Sequence, residues 1–193
     1  MLSRMLRRLV ILLCLVTIVF AKTPRPLASI PLHTPDMRII DIKRQFRGHP
    51  IVLVIFSTAC QDCVAVLHLM DGIQKEYGAQ GLQVIGAAGD DNAKFLLAPF
   101  LARYRPAYPV GYISKEEIIK LADVPKETRP VAPIVMFIDK WGTVREQFYG
   151  DHPIFKDAEK SFKALSLAMI KVTPVAPAAP KPVAPPKPSE PQP

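Results

Sequence analysis

The chain has 193 residues, of which 49% are hydrophobic, and contains 21 prolines and three cysteines. This length is sufficient for one globular domain with an apolar core and some additional segments. The formal net charge is +8, and three of the arginines lie in the first 21 residues, so the remainder carries +5. The basic residues form no stripe with interleaved aromatic residues, which argues against nucleic-acid binding. The charge supports only weak attraction to anionic membranes or acidic partners.

The first 21 residues have the arrangement of a secretory leader. Three arginines precede the apolar run Val10–Phe20, and Ala21 is a small residue at the position where a signal peptidase would cut. The run is shorter than the roughly 20 residues of a membrane-spanning helix, but an uncleaved N-terminal anchor remains the alternative. We therefore predict export to the periplasm or cell envelope, with residues 1–21 as signal peptide or anchor.

The segment that follows the leader contains several prolines. Residues 22–35 are expected to form an extended approach to the domain, and Met37–Ile42 (MRIIDI) a short strand. Lys43–Pro50 is polar and is predicted to be a loop with Gly48 at its turn. The folded domain is predicted to span residues 22–172.

The stretch from Ile51 to Cys63 carries the strongest signal in the sequence. Residues 51–56 are six consecutive apolar residues, which is typical of a strand buried on both faces. A small polar turn leads to Cys60 and Cys63, and residues 64–77 have helical spacing. A helix N-terminus favours a thiolate at the first cysteine, and the second cysteine can attack a mixed disulfide formed there. The pattern indicates a site of dithiol–disulfide exchange.

Two other roles are open to this cysteine pair. A zinc site would need two more ligands at suitable spacing, whereas Cys14 lies in the leader and the four histidines are scattered. We therefore predict no metal and no other cofactor. A purely structural disulfide is the second alternative, but such a short loop removes little chain entropy and would stabilise the fold weakly.

Asp62 lies between the two cysteines. Its carboxylate should oppose a thiolate at Cys60 and offset part of the effect of the helix terminus. A first thiol less acidic than in strongly oxidising enzymes favours reductase or isomerase activity. The sequence therefore predicts that Asp62 modulates the redox properties of the cysteine pair.

The second half of the domain alternates strands and helices. Strands are predicted at residues 82–87, 108–113, 134–138 and 144–149. Helices are predicted at residues 93–104, 115–121 and 155–170. Gly89–Asn92 is expected to form a turn and helix cap, Ser114–Glu117 a capping box, and Asp139–Gly142 a hairpin turn.

Pro133 directly precedes one of these apolar strands. A proline at that position is awkward unless its peptide bond is cis or its strand lies at an edge. A cis Ala132–Pro133 bond would expose the backbone of Ala132 as a pairing surface for an extended substrate segment beside Cys60. An ordinary trans proline that ends a loop is the alternative, and the residues alone leave both open.

The order of these motifs resembles the thioredoxin superfamily. A strand leads into Phe56–Cys63, and a later Ala132–Pro133 precedes the Asp139–Gly142 hairpin. The segment inserted before the proline is similar to that of TlpA/ResA-like exported thioredoxins and redoxins. The resemblance covers about Leu32 to Ile170. It implies an α/β, three-layer fold: a central mixed sheet of four or five strands flanked by helices, with an inserted helix–strand–helix segment.

The resemblance also implies roles for individual residues. Cys60 would be the attacking thiol, Cys63 the resolving thiol, and Pro133 a cis-proline facing them. Several of the family's usual residues are absent. Ala59 replaces a tryptophan, Gln61–Asp62 lacks the common proline, and Val54 and Val66 stand where related proteins carry an acid that accepts a proton from the second cysteine.

The predicted function is that of an exported thiol–disulfide oxidoreductase, more specifically a protein disulfide reductase. Its partners would be disulfide-containing exported proteins and a membrane electron donor, and TlpA-like relatives suggest cytochrome c maturation or copper-site assembly. One alternative is a peroxiredoxin-like peroxidase, for which Ser57 and Arg129 are suitable although the turn lacks a proline. The other is a non-catalytic envelope adaptor, which the missing acids and tryptophan favour.

Residues 173–193 contain nine prolines. Such a segment cannot form a packed element and is expected to be extended, polyproline-like and disordered. It would serve as a spacer or as a ligand for an envelope partner, or else as a solubilising tail without a partner.

Overall fold

The computed structural model describes residues 23–127 and 130–172. The predicted leader at residues 1–21, the proline-rich tail at residues 173–193, and Arg129 lie outside the described residues. Within the described ranges, no helix is both long enough and apolar enough to cross a membrane.

The described residues form one eight-stranded mixed sheet. In chain order the strands are β1 (Arg25–Pro26), β2 (Pro31–His33), β3 (Ile39–Asp41), β4 (Ile51–Phe56), β5 (Gln83–Ala88), β6 (Val110–Tyr112), β7 (Ile134–Ile138) and β8 (Thr143–Phe148). Their order across the sheet is β1-β8-β7-β4-β5-β6-β2-β3. Strands β4, β5 and β6 are parallel, and β7 runs antiparallel to β4. The sheet is therefore centred on the strand that leads to the cysteine pair.

Helices cover both faces of the sheet. They are α1 (Ile42–Gln45), α2 (Gln61–Tyr77), α3 (Ala93–Tyr104), α4 (Lys115–Ala122) and α5 (Ala158–Lys171). Buried residues of α2, α3 and α5 belong to one apolar cluster, and those of α1 and α4 to the other. The inserted segment between β5 and β7 is the predicted helix–strand–helix unit, α3-β6-α4. The three-layer thioredoxin-like fold is confirmed.

Strand β4 contributes side chains to both apolar clusters. Val52, Val54 and Phe56 point into the cluster under α2, α3 and α5. The alternate residues, Ile51, Leu53 and Ile55, point into the cluster under α1 and α4. Because successive side chains of a strand face opposite sides, a strand buried on both faces needs apolar residues throughout.

The sheet is larger than the four or five strands that were expected, because the N-terminal segment joins it. Strand β1 pairs with β8 at one edge, and β2 and β3 extend the other edge beyond β6. Pro26 and Pro31 are tolerated there because β1 is an edge strand and β2 meets β6 only at His33. The extended approach predicted for residues 22–35 thus contributes two strands.

Candidate active site

The turn after β4 positions the cysteine pair at the start of α2. Cys60 is the N-cap residue of this helix, and its Sγ accepts a hydrogen bond from the backbone N–H of Cys63 at 3.1 Å. The two Cα atoms are 5.2 Å apart and the two sulfurs are at disulfide distance. The unpaired N–H groups and dipole of a helix start favour negative charge on such a sulfur. The pair is therefore arranged for thiol–disulfide chemistry.

The two cysteines differ in access to solvent. Cys60 is half-buried, whereas Cys63 has an exposed fraction of 0%. An incoming disulfide would therefore meet Cys60 first, and Cys63 would act from within. Asp62 lies in the first turn of α2 with its side chain exposed.

The segment before β7 lies at the same edge of the sheet as the cysteine turn. Strand register places Ile134 opposite Ile55, so Pro133 is level with Phe56 at the end of β4 and Ala132 extends past it. The Ala132–Pro133 peptide bond is cis, as the resemblance implied. Ala132 and Cys60 pack at the margin of the same apolar cluster. Ala132 and Ser57 line one cleft, so the segment predicted to bind substrate borders the turn that carries Cys60.

Gly150 fixes the position of this segment from behind. Its backbone N–H donates to the Val131 carbonyl at 3.2 Å. A Cβ at Gly150 would collide with the Ala132 carbonyl group and lie 3.0 Å from Cδ of Pro133. Only a glycine allows this close approach of the two backbones.

Asp90 holds the cysteine turn, a role that was not predicted. One carboxylate oxygen accepts a hydrogen bond from the Ser57 hydroxyl, and the other accepts from the Thr58 backbone N–H at 2.8 Å. The Ser57 hydroxyl in turn accepts from the Ala59 N–H at 3.3 Å, and the Ser57 carbonyl accepts from the Cys60 N–H at 3.1 Å. We call residues 57–60 together with Asp90 the Asp90 clamp.

The sequence predicts a turn and helix cap at Gly89–Asn92, and α3 does begin there. Asn92 is the N-cap residue of α3 but makes no side-chain capping bond, and the Asp90 side chain is directed to β4 rather than to the helix. The sequence does contain a feature from which the contact between Asp90 and the cysteine turn could have been predicted. Asp90 stands two residues after the end of β5, and β5 is parallel to β4. The carboxyl ends of parallel strands meet at one edge of a sheet.

Replacing Asp90 with alanine is expected to slow disulfide exchange and to lower the free energy of unfolding by about 1–3 kcal/mol. The substitution leaves half-buried donors of Ser57 and Thr58 without their acceptor. Urea denaturation and the rate of exchange with a small disulfide would measure the two effects. Asp91→Ala is the matched control, since Asp91 is exposed and outside the clamp. Equal effects of both substitutions would contradict the role given to Asp90.

No acid occupies the two positions where related proteins carry one. Val54 and Val66 are both buried in the apolar cluster beside α2. Across residues 23–127 and 130–172, no three histidine, cysteine or acidic side chains group closely enough to hold a metal ion. A cleft of about 520 Å³ opens beside the cysteine turn, where Ser57, Asp90 and Ala132 form part of its lining.

Fold and site together define a thioredoxin-like protein with a redox-capable cysteine pair. The AhpC/TSA family model matches residues 26–147. The chain belongs to the AhpC/TSA family. No curated protein matches the sequence significantly.

Solved structures share the fold. A thiol:disulfide interchange protein of the thioredoxin family from Chlorobium tepidum is 19% identical with a TM-score of 0.63, over 76% of this chain and 97% of that one. DsbF of Mycobacterium tuberculosis is 16% identical with a TM-score of 0.58, over 73% and 95%. A secreted disulfide oxidoreductase of the same organism, homologous to E. coli DsbE, is 14% identical with a TM-score of 0.54, over 72% and 96%. In fold, the chain is similar to these thiol–disulfide oxidoreductases.

Proposed function

We propose that the protein is an exported thiol–disulfide oxidoreductase that reduces disulfides in other exported proteins. The observation that carries this proposal is the pairing of a half-buried Cys60 at a helix N-terminus with a buried Cys63 at disulfide distance. The predicted leader and a secreted structural relative support the location. In the periplasm or cell envelope, which are oxidising compartments, a membrane electron donor would be required to keep the cysteine pair reduced.

The proposed reaction has two exchange steps. The Cys60 thiolate attacks one sulfur of a substrate disulfide, forming a mixed disulfide and releasing the other substrate sulfur as a thiolate, which takes up a proton. Cys63 then loses its proton and attacks the Cys60 sulfur, which releases the second substrate thiol. Two electrons pass to the substrate, and the Cys60–Cys63 disulfide remains on the enzyme until the donor reduces it.

The substrate would lie along the segment before β7. Ala132 would present its backbone polar groups beside the cysteine turn, and the neighbouring cleft of about 520 Å³ has room for side chains of an extended segment. Cytochrome c and copper-site assembly proteins are the substrate classes that the resemblance suggests. The tail at residues 173–193 is proposed as a spacer or a ligand for an envelope partner.

A direct assay separates this function from its two alternatives. The reduced Cys14→Ser chain would be mixed with a disulfide-containing protein such as insulin, and in parallel with hydrogen peroxide. We expect substrate thiols to form while one enzyme disulfide appears for each substrate disulfide lost. Rapid consumption of peroxide alone would favour a peroxidase, although the Ser57 hydroxyl is already engaged by Asp90. Reaction with neither would favour the adaptor.

Replacing Asp62 with asparagine is expected to make the cysteine couple more oxidising. Removal of the negative charge favours the Cys60 thiolate and so stabilises the reduced form, which raises the reduction potential by on the order of 30 mV, or about 1.4 kcal/mol. Titration against glutathione measures the shift. Glu76→Gln, at the far end of the same helix, is the control and should leave the potential unchanged. An unchanged reduction potential in the Asp62 variant would show that Asp62 does not modulate the cysteine couple.

A further inference from the structure

A second cleft lies at the end of the sheet opposite the cysteine pair. Its volume is about 400 Å³, and its walls are α1 with the loop that leads from it to β4, and the hairpin between β7 and β8. The Gly48 N–H donates to the Lys140 carbonyl at 3.2 Å and joins the two walls. Ile51, the first residue of β4, lines this cleft, whereas Phe56 at the other end of β4 leads to the cysteines. We call it the basal cleft.

The basal cleft is rimmed by uncompensated positive charge. Its lining contains four lysines and arginines and one histidine: Lys43, Arg44, Arg47, Lys140 and His49. Among the described residues, none of the four cations forms an ion pair. The lone carboxylate of the lining, Asp139, is 1% exposed and already accepts from Arg145 Nε at 2.6 Å and from two backbone N–H groups. The rim therefore presents a positive field to any occupant.

The interior of the basal cleft is apolar. Leu27, Phe46 and Ile51 contribute to its lining. Trp141 stands at its mouth, 43% exposed, with Lys140 Nζ 4.8 Å from the ring centroid. A small inorganic anion would use the rim but not this apolar surface. A ligand that combines a negative headgroup with an apolar body would use both.

We propose that the basal cleft docks the protein on a membrane surface that contains anionic phospholipid. Tryptophan beside lysine and arginine is the combination found at the membrane–water interface, and clustered cations are attracted to anionic headgroups. The acidic segment of a protein would satisfy the cations but leave the apolar lining and Trp141 unused. The cleft and the cysteines lie at opposite ends of β4, about 20 Å apart along the strand, so docking leaves the dithiol directed away from the lipid. The proposal does not depend on redox activity.

Trp141 is the protein's only tryptophan, so its fluorescence reports on this cleft alone. The full chain would be added to vesicles of phosphatidylcholine, with or without phosphatidylglycerol, that carry brominated acyl chains as quenchers. We expect a blue shift and quenching of Trp141 with phosphatidylglycerol, and reversal by high salt. The predicted leader carries three arginines and would itself favour phosphatidylglycerol. Its contribution is the same in the wild type and in the variants described next, so the comparison between them isolates the basal cleft.

The variant K43Q/R44Q/R47Q should lose this contact. Each lysine or arginine near an anionic surface strengthens binding about fivefold, so three substitutions should weaken it on the order of 100-fold. The control variant K75Q/K94Q/K160Q removes the same charge from exposed sites on other helices and should behave as the wild type. Since all six residues are exposed, the variants are expected to fold, which circular dichroism would verify.

Three results would overturn the proposal. Equal quenching with phosphatidylcholine alone would show that charge is not recognised. An equal fluorescence change on adding soluble glycerol phosphate would indicate that the cleft is a site for small anions. An equal fluorescence change on adding polyglutamate would indicate that its partner is an acidic protein. Because the measurement needs no turnover, its failure would leave the proposed reductase function untouched, and loss of reductase activity would leave membrane docking untouched.

Discussion

Replacing Cys63 with serine is expected to trap a mixed disulfide between Cys60 and a substrate protein. The variant keeps the half-buried Cys60 at the helix N-terminus but lacks the thiol that releases the substrate. Incubation of the reduced variant with insulin should produce a covalent complex that dithiothreitol dissolves. Non-reducing electrophoresis followed by mass spectrometry would identify the complex and assign its sulfur to Cys60.

Two further variants complete this experiment. Cys60→Ser should form no complex and have no reductase activity, because it lacks the accessible nucleophile. Cys14→Ser is the matched control and should behave as the wild type, since Cys14 lies in the predicted leader. If Cys60→Ser rather than Cys63→Ser accumulates the complex, the two roles are reversed and the argument from solvent access is wrong.

Replacing Phe137 with alanine is expected to lower the free energy of unfolding by about 3–5 kcal/mol. Phe137 has an exposed fraction of 0%. Its ring centroid lies 5.6 Å from that of Phe162 on α5 and 6.2 Å from that of Phe148 on β8. Truncation would leave a cavity where the sheet packs against α5. A loss of this size is a large part of the roughly 5–15 kcal/mol that stabilises a domain, and urea denaturation of the oxidised chain measures it.

Phe95→Ala supplies a control with the same change of side chain. Phe95 lies on α3 and is 74% exposed, so its loss should alter stability by no more than about 0.5 kcal/mol. Comparable losses in the two variants would show that the packing of β7 against α5 is not as described.

Local patterns in the sequence predicted most of the central fold. The apolar runs at residues 51–56 and 134–138 match β4 and β7 because a strand buried on both faces has no polar positions. Ser114 and Glu117 form the predicted capping box at the start of α4, since both partners of that motif are three residues apart. The cysteine pair was evident for the same reason: its chemistry depends on one short stretch.

Features that depend on contacts between distant segments were missed. Strand β1 exists because Arg25 and Pro26 pair with Val144 and Thr143, more than 100 residues away, and such a short segment has no periodicity of its own. The Asp90 clamp joins residues 33 positions apart. The basal cleft brings Leu27, the residues after α1 and the β7–β8 hairpin together, and none of these segments is unusual alone.

Cys60 and Cys63 are expected to form a reducing couple, and measuring the reduction potential of the pair decides whether they do. The Cys14→Ser chain would be equilibrated with glutathione redox buffers, and the oxidised fraction measured after acid quenching and alkylation. We predict a value near the thioredoxin end of the scale, about −270 mV. A value near about −120 mV would make the protein an oxidant of exported proteins and contradict the argument from Asp62. The absence of a reversible two-electron couple would contradict the exchange mechanism itself.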